Sequence, residues 1–439
     1  MTTSDVVRTP SDADRAALRA WFPALSQSTA LLENAGGSQV PGVVAEAIAT
    51  YMTSCYVQLD AEYPQSDMAT AVVAGAHAFV ERLAGGEGLG RAAIGPSTSQ
   101  LVTNLAATLA HGIEAGDEIV VSEAGHEANV GPWTRLAERS GATLRWWKVD
   151  PETGAQSLDD LAALLSPRTK VVAVVHVSNL LGQVLDLRAV SELVHEASSA
   201  HVVADGVAYA PHRAIDVAAW GVDWYVWSAY KVYGPHTAML WGSHEAWSRC
   251  HSEYHLFIDG SEVPYAYEIG GVCHEAMAGL LALAPYLAGL ARLAAGGELG
   301  DPPARPDMPA LLRAADQLSR AEVEAAFGFM HACERPLVQR LLTWLDGVPG
   351  VRVLGTTVES QERVGTVAFV HPDHDSAELA RVAHRHGVAI RNGHNYAFRL
   401  AQALSIDPEP GAVRISLVHY NTADEIERCI AALEPVLGG

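Results

Sequence analysis

Lysine is nearly missing from this chain: among 439 residues there are three, Lys148, Lys170 and Lys231. Basic residues number 29 against 51 acidic ones, a net charge of −22. Binding a phosphate backbone needs a basic surface, so nucleic acid is not expected as a partner. Cysteine is sparse and unpatterned. The five, Cys55, Cys250, Cys273, Cys333 and Cys429, are odd in number and form no CxxC pair. They offer neither a disulfide framework nor a zinc site, no metal is expected, and a reduced cytoplasmic setting fits. Long apolar runs are also wanting. The longest, Ala276 to Ala291, contains Pro285 and stops at Arg292, too short to span a bilayer; it reads as a buried helix, and no membrane is expected. The opening stretch MTTSDVVRTPSDADRAALRAWFP has acidic residues where a signal peptide has its apolar core.

What is present is a large apolar fraction, 49%, with 22 prolines and 38 glycines, enough for a sizeable core and two domains. Strands and helices alternate along the chain. Helix Ser66 to Leu83 precedes strand Glu118 to Ser122, strand Thr143 to Val149, helix Ser157 to Leu165, strand Lys170 to His176, helix Leu187 to Ala197 and strand His201 to Asp205. That spacing predicts an α/β fold with a doubly wound, mostly parallel sheet. Prolines crowd Asp301 to Pro306, and beyond Phe329 the pattern becomes a smaller α+β unit. The expected divisions are a helical segment 1–30, a large domain 31–300, a hinge or insertion 301–328 and a small domain 329–439.

Two strand ends carry the chemistry. Asp205 closes one β-branched run, and Lys231 follows another, Asp223 to Trp227, twenty-six residues on. Functional groups of open α/β sheets gather at strand C-termini. A lysine that can form an imine and a carboxylate that can keep a pyridine nitrogen protonated are what pyridoxal phosphate (PLP) requires. Lys148 and Lys170 sit instead at strand edges, the ordinary place for a charge. Other βα ends add polar groups to the same crevice. Gly95-Pro96-Ser97-Thr98-Ser99-Gln100 feeds a helix N-terminus suited to a phosphate, while His126 and Asn179 each follow a strand. Glu33 to Ser38, with its paired glycines, reads equally as a ligand loop or a plain turn.

Asp205-Gly206, Ser228-x-x-Lys231-x-x-Gly234-Pro235, Glu123-x-x-His126-x-Ala128-Asn129 and Val177-Ser178-Asn179-x-x-Gly182 together resemble the class V aminotransferase superfamily. The branch that looks most similar is that of group II cysteine desulfurases and selenocysteine lyases. The resemblance implies PLP fold type I, with Lys231 as the cofactor lysine, Asp205 as pyridinium partner and His126 as the stacking ring. It implies phosphate contacts from Ser99 and Ser228 with help from the backbone around Gln100, and substrate contacts from Asn179, Arg414, Arg391 and His394. It also implies a homodimer in which the partner's segment at Gly271 lines the site.

The departures from the family pattern shape the functional expectation. Tyr396 stands in the loop Arg391 to Phe398 where desulfurases carry the persulfide cysteine. Ala208 replaces the glutamine that hydrogen-bonds the cofactor phenolate, with Tyr209 or His212 as candidate substitutes, and Tyr230 replaces the histidine before the lysine. The expectation is a lyase that breaks a Cβ bond, C–S or C–C, of a cysteine- or aspartate-like amino acid without a cysteine persulfide. The alternatives are a class V aminotransferase or epimerase and, in another class, a degenerate PLP-fold binding protein.

Overall fold

The computed structural model describes residues 8, 10–303, 305–356 and 363–438. Residues 1–7 and 9 of the opening stretch read for a signal peptide lie outside the described residues, as does Ala304 of the expected hinge. The larger unit is built on a seven-stranded sheet. Its strands lie in the order Gly90–Gly95, Ala238–Ser243, Trp224–Ser228, His201–Asp205, Thr169–Val175, Glu118–Ser122 and Thr143–Trp147. Ala238–Ser243 alone runs against both neighbours. The other pairings are parallel, as the βα alternation predicts.

Both faces of this sheet are covered, which is why its central strands are continuous apolar runs. Val172, Val174, Val202 and Ala204 point into one core layer. Val171, Ala173 and Val203 point into the opposite one. Helix Leu187–Ala197 shows how local sequence sets the connections. Asp186 caps it by accepting from the N–H of Ala189, and Leu187, Val190 and Val194 form its buried stripe. From Glu118–Ser122 the chain steps outward to Thr143–Trp147, then returns to the other side for the next three strands. That reversal opens a crevice at the strand C-termini.

The smaller unit has a four-stranded antiparallel sheet in the order Arg391–Gly393, Ala412–Ser416, Thr366–Val370 and Arg352–Leu354. Strand Ala30–Leu31 belongs with this unit. It pairs in parallel with Val388–Ala389, and Ala30 and Leu32 are buried in the small-unit core. The sequence had assigned residues from 31 to the large domain, because a two-residue strand carries no sign of a partner more than 350 positions away. The expected hinge 301–328 is likewise largely helical. Met308–Gln317 is one helix, and the next, Arg320–Asp346, starts at a Ser319/Glu322 capping box. The first half of that long helix packs Phe327 and Met330 into the large core, and its second half packs Leu341 and Leu345 into the small one. One rigid element therefore crosses the boundary where a linker was expected.

The apolar stretch near 275–295 forms two helices, His274–Leu281 and Leu283–Ala294. Together they are long and apolar enough to cross a membrane by length and composition, yet 83% of that window is buried inside the protein.

Candidate active site

Asp205 is the last residue of a fully buried strand. The chain turns sharply after it because residue 206 is glycine: a Cβ there would lie 2.0 Å from Tyr225 Cζ. The N–H of Val207 donates to Asp205 Oδ1 at 2.9 Å. Burial pushes the Asp205 carboxyl up to about 6, opposed by the Val207 hydrogen bond and by Lys231. Lys231 ends the short turn Ala229–Lys231 that follows strand Trp224–Ser228. It is buried at 8% exposure, and among the described residues no carboxylate lies within ion-pair distance. Burial lowers its amine to about 8, with Arg414 adding to the effect and Asp205 opposing it.

His126 opens a turn over Glu127–Asn129, where its Nδ1 accepts from the N–H of Ala128 at 3.0 Å. The ring hydrogen therefore sits on Nε2. Burial, then Lys231 and Arg414, hold His126 down to about 4, so the ring is neutral at physiological pH. Ser97 caps the twelve-residue helix Thr98–Leu109. Next to it, Thr98 Oγ1 and Ser228 Oγ are 2.7 Å apart, joining that helix start to the end of the Lys231 strand. Ser97, Ser99, His126, Asn179, Asp205, Ala208, Ser228, Tyr230 and Lys231 line one cavity. The helix end supplies free amides and the positive end of its dipole to an anion.

Arg414 comes from the small unit. It is buried on strand Ala412–Ser416, and its Nη1 donates to the carbonyl of Asn179 at 3.4 Å. Arg414 Nε and Asn179 Oδ1 are buried without a hydrogen-bond partner. A buried donor and acceptor left unmatched are costly in a resting protein, and they suit a ligand that carries both kinds of group. Asn179 also donates to the carbonyl of Asn395 at 2.7 Å, which ties it to the Tyr396 loop.

The remaining sequence candidates divide. Tyr396 lies beside the cavity without lining it, its ring 5.2 Å from that of His126 and its side chain 65% exposed. Gln100 donates its backbone N–H to the Ser97 cap at 3.2 Å, and its exposed side chain lies outside the cavity. Arg391 stands opposite Arg414 across the strand pair but is neutralised by Glu33 at 2.7 Å. His394 does not line the cavity; its Nδ1 accepts from the N–H of Tyr396. Gly271 lies in a separate open groove with Tyr254, Tyr265 and Glu268, away from Lys231 of the same chain. Tyr209 and His212 are not substitutes for the missing glutamine. Tyr209 stacks on His176 at 3.7 Å, and His212 pairs with buried Glu334 at 2.9 Å. Sequence reasoning passed over Ser97 and Thr98 as individual contributors. Their signal was present, since an N-cap serine and the residue after it always face the helix entrance.

These groups fit PLP. The amine of Lys231 is buried with no ion-pair partner, the buried Asp205 carboxyl accepts from one backbone N–H, hydroxyls surround a helix N-terminus, and a buried guanidinium nitrogen is unmatched. Ala208, where the family pattern has a glutamine, offers no polar side-chain group. The comparisons agree with this geometry. The sequence model of the family described as aminotransferase class-V matches residues 30–263 and 306–429. The aminotransferase-like protein FGM3 of Gibberella zeae is 34% identical over 96% of this chain and 98% of its own. The cysteine desulfurase-like protein ustD of Aspergillus flavus is 27% identical over 97% of this chain and 91% of its own. The apo structure of a cysteine desulfurase from Thermococcus onnurineus has the same fold, with a TM-score of 0.80 at 23% identity over 99% of this chain and 100% of that one. With a family match spanning most of its length and a lysine, carboxylate and anion cradle gathered at the crevice, the chain belongs to the class V aminotransferases and is a PLP-dependent enzyme.

Proposed function

We propose that this enzyme breaks a Cβ bond, C–S or C–C, of a cysteine- or aspartate-like amino acid without forming a protein persulfide. The observation that carries the reading is the loop after strand Arg391–Gly393, where Tyr396 rather than a thiol stands against His126. Cys55, Cys333 and Cys429 are buried, Cys250 is partly so, and Cys273 is the one exposed thiol. PLP bound at Lys231 supplies an electron sink for charge that develops at Cα and Cβ.

The chain's own groups prepare and steer that chemistry. In this reading Arg414 grips the substrate α-carboxylate through its guanidinium fork, with Asn179 beside it; its unmatched Nε supports the role. Lys231 Nζ, lowered to about 8, is neutral in a useful fraction near physiological pH and takes the α-proton once it is free. Asp205 is the carboxylate for the pyridine nitrogen, and burial away from water strengthens that contact. His126, neutral and held by the Ala128 N–H, offers a flat face. Ser99 and Ser228, together with Ser97 and the helix end, hold the phosphate. A homodimer accompanies this reading, with the partner's Gly271 segment at the site mouth. Exposed Leu256, Phe257 and Ile269 beside that segment support such a contact.

The test is product analysis joined to intact-mass measurement. Given cysteine, cysteine sulfinate or aspartate, the purified enzyme is expected to release a Cβ-cleavage product without added keto acid and to gain no sulfur. A stable gain of one sulfur would restore a desulfurase. Turnover that depends on keto acid, with pyridoxamine phosphate accumulating in its absence, would establish transamination instead.

A further inference from the structure

Two residues beyond Lys231, the backbone of Tyr233 adopts φ +61°, a left-handed conformation rarely taken by a bulky residue. Such a conformation persists where its surroundings over-determine it, and here the phenol does so. The Tyr233 hydroxyl donates to the carbonyl of Pro211 at 2.7 Å. It also meets Nδ1 of His419 at 3.0 Å, and the hydroxyl of Tyr286 meets Nε2 of the same imidazole at 2.6 Å.

The hydrogens in this chain of contacts can be assigned one way. A carbonyl only accepts, so the Tyr233 hydrogen points at Pro211 and its oxygen must accept from His419 Nδ1–H. His419 Nε2 then holds a lone pair that accepts from Tyr286. The imidazole is neutral, in agreement with burial that drives His419 down to about 3. His419 is 0% exposed, and Tyr233 and Tyr286 are equally enclosed.

The three segments joined by the Tyr233 hydroxyl each carry one group of the site. Tyr233 follows Lys231 in the same turn, Pro211 lies within the loop that follows Asp205, and His419 lies five residues beyond Arg414. The backbone N–H of Tyr233 adds a fourth tie, donating to Ser38 Oγ at 2.9 Å in the loop after Asn34. We infer that Tyr233 and His419 act as a hydroxyl–imidazole positioning pair that holds Lys231, and registers it against the Asp205 and Arg414 segments of the two units.

Neither Tyr233 nor His419 lines the cavity that holds Lys231, so both are positioning residues. The inference rests on the reading that Lys231 carries PLP. Borohydride reduction and peptide mapping separate the two: a pyridoxyl label away from Lys231 overturns the site reading itself. With the label on Lys231, Tyr233→Phe keeps the ring and removes both hydroxyl contacts. The expected result is a fall in kcat of roughly tenfold to a hundredfold with KM within about twofold, the cost of misplacing a reacting group by about an ångström.

A second readout uses the cofactor-free protein. The pH midpoint for trace acetylation of Lys231 is expected to move up by about half a unit or more, as the loosened amine regains water. Should Tyr233→Phe fail to fold, Tyr286→Phe frees the far nitrogen of His419 and is expected to move both readouts in the same direction. Wild-type kcat and an unmoved acetylation midpoint in either folded variant, or a change confined to the unfolding midpoint, would overturn the positioning role.

Discussion

Replacing Lys231 with methionine is expected to make the cofactor-free protein more stable at neutral pH. The side chain is 8% exposed, and burial lowers its amine from 10.5 to about 8. Below pH 8 both folded and unfolded chains carry the proton, and the folded state bears the full cost of a buried cation. Between pH 8 and 10.5 the unfolded chain still holds a proton that the folded chain has released, so stability rises with pH. Above 10.5 the cost has gone. At about 1.36 kcal/mol per pH unit, the whole interval is worth about 3 kcal/mol. Methionine conserves most of the buried volume. It also removes the cation that Asp205 faces, which trims the gain to about 2–3 kcal/mol. Urea unfolding of the cofactor-free wild type and Lys231→Met at pH 7.0 and 9.5 checks this, because other titrating groups cancel in the difference. The variant's advantage should shrink to about 1 kcal/mol at the higher pH. A variant no more stable than wild type at pH 7.0, or an advantage that does not fall with pH, would refute a buried and depressed amine at this position.

Two further outcomes test other parts of the site. Gly206→Ala would place a methyl 2.0 Å from Tyr225 Cζ. Overpacking, with loss of the 2.9 Å contact between Tyr225 and His176, is expected to cost about 2–4 kcal/mol in urea unfolding and to lower turnover through displacement of Asp205. An unchanged midpoint would show that the turn relaxes freely. Tyr396→Phe, at an exposed position, should leave the unfolding midpoint unchanged and reduce kcat about tenfold with KM steady, the pattern of a lost proton donor; near-normal kinetics would leave Tyr396 as a pocket wall.

The parallel sheet and the central pair of functional groups could be read without coordinates, because both follow from local pattern. Apolar runs of five to seven residues closed by Asp205 or followed by Lys231 are strands whose ends must meet at one edge of a parallel sheet. The scarcity of lysine then singled out Lys231. The helix from Leu187 and the helix entrance after Gly95 to Gln100 were likewise legible from local residues. At Gln100 the motif is local but the hydrogen bond of its N–H to Ser97 Oγ is visible only in the folded turn.

What only the tertiary structure decided concerns contacts between residues far apart in the chain. Ala30–Leu31 looks like the first strand of the large unit until Val388–Ala389 pairs with it. Tyr209 looks free to replace a glutamine until it stacks on His176, and Arg391 looks free for substrate until Glu33 neutralises it. The tie from Tyr233 through His419 to Tyr286 spans 186 and 133 positions of sequence. Periodicity and capping carry information over a turn or two of chain, so secondary structure, the sheet edge and the lysine–carboxylate pair were legible. Which buried hydroxyl meets which imidazole depends on how two separate cores pack together, and no local pattern encodes that.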